Sequence, residues 1–149
     1  MSGNRYSICH LAAAMSVVAA LTTMGASLQA QDKINVVTTL TTYADVARQI
    51  GGDRVEVTAI GDGAENPHHV QPKPSLVMVV KRADMLVTTG LDLELWLPPL
   101  MDKANNRQVA SGAQGFVAAA PGVKLMEIPV TLSRSEGDSH GFGNHHIWI

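Results

Sequence analysis

The chain has 149 residues, 11 of them basic and 13 acidic, for a formal net charge of −2. That balance leaves no basic stripe for nucleic acid. The single cysteine, Cys9, excludes a disulfide framework, and it lies in the N-terminal segment that reads as a cleaved signal, which leaves any metal to nitrogen and oxygen ligands that suit zinc, manganese or iron(II) better than copper(I).

Residues 1–30 read as a cleaved secretory signal peptide. Arg5 supplies a positive flank, Leu11 to Leu28 is an uncharged run of apolar and small residues, and Ala30 precedes Gln31-Asp32 at the expected cut. The run approaches the ~20 residues of a membrane span, but its Ala, Ser and Thr content makes it only weakly hydrophobic. Cys9 stands before this run, not at its end where a lipid-anchor cysteine belongs. Residues 31–149 are then expected to be exported as one unit, long enough for one core and short for two domains.

Ile34 to Thr39 is a β-rich run. Thr42 to Asp45 fits a capping box at a helix start. Tyr43, Val46, Ala47 and Ile50 follow at helical spacing and are expected in the core, with Gly51-Gly52 as the stop. Val55 to Ile60 alternates apolar and polar residues as a second strand. Gly61 to Pro74 is a loop, and Ser75 can cap a helix running to about Ala83. Met85 to Thr89 is the next strand, broken by Gly90. Leu93 to Asn105 reads as a helix in which Pro98-Pro99 demands a kink or a late start, with Leu93, Leu95 and Trp96 apolar for the core. Phe116 to Ala120 and Val123 to Ile128 are weaker strand candidates, and Ser133 to Asn144 is a polar, glycine-bearing loop. Strands alternating with helices imply an α/β fold, a mostly parallel sheet flanked by helices on both faces. Ligands of such sheets gather at the carboxyl ends of the strands.

Five of the six histidines fall in two clusters, His68-His69 and His140 with His145-His146. Both follow strand candidates, so both can reach that sheet edge. Pro67, Pro72 and Pro74 stiffen the first loop, which lowers the ordering cost of holding an imidazole in place. On an extended segment His145 and His146 point to opposite faces, so one can face a site while the other faces water. Trp148 would lie on the side of His146 and shield a bound metal. By itself the first cluster reads equally as two solvent-exposed loop histidines, and the second by itself reads rather as a polar chain end or a cloning remnant. Asp92 and Glu94 read as solvated surface carboxylates rather than ligands.

Three segments together carry a resemblance. NPHHVQPKPS (Asn66 to Ser75), TTGLDLELW (Thr88 to Trp96) and NHHIW (Asn144 to Trp148) resemble, in order and spacing, segments of the zinc/manganese family of ABC-transporter solute-binding proteins. The likeness runs from about Ile34 to the last residue. It implies one lobe of a two-lobed periplasmic receptor that carries Zn2+ or Mn2+, with Fe2+ also possible, to an inner-membrane ABC permease as a monomer. It also implies His68 and His146 as metal ligands, each two residues after an Asn where the family commonly has Asp. His69, His140 and His145 are then neighbours, and His145 stands where the family usually has proline. The 133–143 loop, with Asp138 and His140, is too short for the scavenging loop of many zinc-handling relatives.

The resemblance further implies an incomplete protein, residues 31–149 being an N-terminal lobe whose partner lobe would supply the remaining ligands. A secreted metal-dependent hydrolase is the alternative from another class. It would need a general base beside an open metal position, and no HExxH-type motif is present. A truncated product without a stable metal site is a third reading. On the preferred reading the chain is a carrier and not an enzyme.

Overall fold

The computed structural model describes residues 32–126, 128 and 143–147. The export-signal reading of residues 1–30, and the expectations attached to His140, Asp138 and Trp148, lie outside the described residues. Four strands, β1 (Ile34–Thr38), β2 (Val55–Ala59), β3 (Met85–Thr88) and β4 (Phe116–Ala118), alternate with three helices, α1 (Thr41–Gly51), α2 (Pro74–Lys81) and α3 (Leu97–Ala104). The sheet is parallel throughout, in the order β2-β1-β3-β4. The α/β architecture expected from the alternation is therefore the one found.

Because β1 leads outward to β2 and the chain then crosses back to β3 and β4, right-handed crossovers put α1 on one face and α2 and α3 on the other. Val36 and Val37 point to opposite faces of β1, and each is 3% exposed, as a sheet covered on both sides requires. The main core joins Val37 and Leu86 of the sheet to Val80 of α2 and Leu97 and Leu100 of α3. Among the described residues no helix is long and apolar enough to cross a membrane.

Several local expectations change. The capping box at Thr42 to Asp45 does not form: α1 starts at Thr41 after an extended Leu40, with no side-chain cap. Thr38 Oγ1 donates to Leu40 O at 2.9 Å and fixes the turn instead, while Asp45 pairs with Arg48 at 3.0 Å on the surface. Val46 and Ile50 are 48% and 83% exposed, not core. The stripe that α1 lays on the sheet runs through Ala44, Ala47 and Gly51. Gly51 comes so close that an added Cβ would stand 2.4 Å from Val55 Cγ1, which rolls Val46 and Ile50 away.

Pro98-Pro99 forces the late start: residues 91–96 are turns and α3 begins at Leu97. Leu93 and Trp96 are core residues as expected, but Leu95 is exposed. Residues 123–126 carry no strand; Met126 O instead accepts from Asn144 N at 2.8 Å. Ser75 does not cap α2, which starts at Pro74 after an extended Lys73. Its last carbonyls are closed from a distance, since Asn106 Nδ2 lies 3.0 Å from Val80 O and 3.2 Å from Lys81 O, and 2.8 Å from Ala83 O just beyond the helix.

Candidate metal centre

The first histidine loop leaves β2 through two side-chain-closed turns. Asp62 Oδ1 accepts from Ala64 N at 2.8 Å and Glu65 N at 3.0 Å. Those bonds hold its carboxyl below the usual aspartate range. Asn66 Oδ1 then accepts from His68 N at 3.0 Å, and Pro67 opens a single tight helical turn, Pro67–His69. Pro67 has no N–H to satisfy and a φ suited to that first position.

This turn is tied to the body of the protein by a residue far along the chain. Trp96, nearly buried, donates its indole N–H to Pro67 O at 2.8 Å. Trp96 is itself placed by the loop after β3, where Gly90, Leu91 and Asp92 all have positive φ. For the two non-glycine residues that conformation costs about 1–2 kcal/mol each. Glu94 holds the loop. Its Oε1 accepts from Thr39 Oγ1 at 2.6 Å and from Thr89 N at 2.8 Å, and Oε2 from Gly90 N at 3.3 Å.

Glu94 is 5% exposed, so its reading as a solvated surface carboxylate is corrected; Asp92 does stand in solvent. Tyr43 Oη donates to Thr89 Oγ1 at 3.0 Å beside it, and burial pushes the phenol's pKa up. The Thr39–Glu94–Thr89 cluster sits between the carboxyl ends of β1 and β3, where the strand order reverses. Such a switch point is the usual ligand-facing crevice of an open parallel sheet.

The second loop repeats the device of the first. Asn144 Oδ1 accepts from His146 N at 2.9 Å and stands 3.0 Å from His146 Nδ1. Gly143 precedes it with φ +97°, and an added Cβ would lie 2.6 Å from Met126 O. Glycine is required there on both counts.

The two loops meet at their histidines. His145 Nε2 lies 3.1 Å from His68 Nε2, with the rings nearly perpendicular at a centroid separation of 4.7 Å. His146 stacks at a tilt on His145, 4.5 Å between centroids. One ring nitrogen from each of His68, His145 and His146 falls within 4.8 Å of the others. His145 is 4% exposed, His68 is half-buried and His146 is exposed. His69 is exposed and stands outside this group.

His68 and His146, the ligands implied by the resemblance, are thus brought together, and His145, a neighbour on that resemblance, joins them. The signal for His145 was the alternation of an extended segment, which turns one of the pair inward without saying which. A cleft of about 480 Å³ beside Gly90, Asp92 and Arg107 contains none of the three histidines. A metal ion needs convergent lone pairs rather than a cavity of that size.

Neutral imidazoles are good ligands for zinc and for other borderline first-row ions. Ring nitrogens 2.0–2.1 Å from a tetrahedral zinc stand about 3.3 Å apart, close to the separation of the two Nε2 atoms.

Relatives carry the same theme. Over 122 residues the chain is 29% identical to the manganese ABC transporter substrate-binding lipoprotein PsaA of Streptococcus pneumoniae, covering 79% of this chain and 38% of that protein. Over 122 residues it is also 29% identical to the zinc-binding lipoprotein AdcA of Streptococcus pneumoniae, covering 81% of this chain and 24% of the relative. The chain therefore spans well under half the length of these relatives.

Two solved structures share the fold. The crystal structure of ZnuA matches with a TM-score of 0.57 at 24% identity, over 78% of this chain and 40% of that one. The Mn-bound periplasmic metal binding protein of Candidatus Liberibacter asiaticus matches with a TM-score of 0.53 at 21% identity, over 72% and 36%. The family model for the zinc-uptake complex component A, periplasmic, matches residues 36–149. On that match, which takes in both histidine loops and all of the sheet but the first two residues of β1, the chain belongs to the zinc-uptake complex component A periplasmic family.

Proposed function

We propose that this chain is the N-terminal, metal-capturing lobe of a solute-binding protein, exported by residues 1–30 to the periplasm. There it takes up a divalent transition-metal ion, Zn2+ or Mn2+, for delivery to an inner-membrane ABC permease. The observation that carries this reading is the meeting of His68 and His146 from two distant loops, each at the second position after an Asn that closes its turn. The mechanism is capture, in which ring nitrogens give lone pairs to the ion and no bond of a substrate is made or broken. In the two-lobed arrangement implied by the resemblance, further ligands come from the opposing lobe.

The manganese and zinc relatives both support metal capture without fixing the ion. Titration calorimetry with each ion tests the assignment. His68→Ala and His146→Ala should each weaken binding by tenfold or more, about 1.4 kcal/mol, while His69→Ala leaves it unchanged. An equal loss in His69→Ala would sink the ligand set, and zinc-dependent hydrolysis would turn the reading towards an enzyme.

A further inference from the structure

We propose that His145 is a third metal ligand, so that this lobe alone offers a three-imidazole site that prefers Zn2+ to Mn2+. The inference rests on the capture reading above and adds to it a residue that the resemblance leaves as a neighbour.

If the three ring nitrogens all lie within 4.8 Å of one another, some point is no more than about 2.8 Å from each of them. The Zn–N distance is about 2.0–2.1 Å, so a contraction of less than about 1 Å brings all three into bonding range. The pair His68 Nε2 and His145 Nε2, at 3.1 Å, already has the spacing of two corners of a tetrahedral site.

The near-perpendicular rings of that pair bring both Nε2 atoms to one point rather than stacking their faces. Burial of His145 places its donor on the protein side of the ion, while exposed His146 closes the solvent side. Asn144 adds the outer support that metal-bound imidazoles usually have. Its Oδ1 is identified as oxygen because it accepts from the backbone N–H of His146. The nearby His146 Nδ1 must then carry the proton, which gives the lone pair to Nε2.

The donor set decides the metal. Among the described residues no carboxylate joins the three histidines. Mn2+ favours carboxylate and water oxygens and lies low in the affinity order for nitrogen sites, whereas Zn2+ accepts three imidazoles with an open fourth position.

The test uses the full chain. X-ray absorption at the zinc edge should count three imidazoles in the unmodified protein loaded with Zn2+ at one equivalent. Separately, His145→Ala and His145→Gln should each raise the zinc Kd tenfold or more and narrow the gap between Zn2+ and Mn2+. The absorption count decides alone if both variants unfold. A count of two imidazoles, or unchanged zinc affinity in His145→Ala while His68→Ala loses it, overturns the third ligand and leaves metal capture standing. Zinc affinity retained in His68→Ala and His146→Ala as well would remove the capture site at these histidines, on which the proposed function rests.

Discussion

Trp96 holds the first histidine loop through one indole N–H, so its role divides cleanly between ring and hydrogen bond. Trp96→Phe keeps most of the buried ring and loses the bond to Pro67 O. We expect a stability loss of about 1 kcal/mol by chemical denaturation, together with weaker metal binding because the His68 turn is less constrained. Undiminished affinity would show that the prolines alone order that turn. Glu94 is the more demanding residue, since three donors depend on it at the sheet edge. Glu94→Ala strands buried donors and should cost about 3 kcal/mol; a loss under about 1 kcal/mol would mean that water replaces the carboxylate.

Asp62 gives a pH signature at the same scale. Its pKa is lowered from 3.8, chiefly by the backbone N–H of Ala64. A depressed carboxylate stabilises the folded loop above its unfolded pKa, and that support is lost as pH falls through the lower folded value. Protection of the Ala64 and Glu65 amides from hydrogen exchange should therefore persist at about pH 5 and fade only in stronger acid, beginning below the ordinary aspartate range near 3.9. Asp62→Ala should lack that protection at every pH.

At the scale of elements, strands were the most legible part of the sequence. Short apolar runs at Ile34, Val55, Met85 and Phe116 became four parallel strands because each is bounded by turn formers and flanked by a helix. Helix faces and helix ends were less legible. Val46 and Ile50 satisfied the helical period, yet the close approach of Gly51 to Val55 chose a different stripe for burial. The caps of α2 lie in tertiary structure: Asn106, distant in sequence, closes its carbonyl end. Asn106→Ala should destabilise the fold by about 1–2 kcal/mol, read by thermal or urea unfolding, with no direct effect on the metal ligands.

The second histidine loop depends on Gly143 in the same non-local way. Gly143→Ala adds a Cβ against Met126 O at a backbone angle that L residues rarely adopt. We expect it to reduce metal affinity more than global stability, since it displaces the loop and not the core. The reverse order of effects would mean that the 143–147 segment is a structural strut.

For the whole molecule, the site was legible as two clusters and the resemblance supplied a pairing, but the geometry of the meeting was not. A charged residue such as Glu94 defaults to the surface when only its neighbours in sequence are known. Its burial becomes visible once β1 and β3 bring Thr39 and Thr89 beside it. Likewise, nothing local distinguishes His145 from His146 on an extended segment; the partner across the gap, His68, does. The histidines converge because two loops, each closed by an Asn side chain, are carried to one place by separate parts of the fold.

The most direct test of that convergence is anomalous diffraction at the zinc edge from crystals of the full chain grown with one equivalent of Zn2+. One dominant peak is expected within about 2.3 Å of a ring nitrogen of His68 and of at least one histidine of the second loop. A dominant peak elsewhere, or no peak at the histidines at full loading, would contradict the convergence.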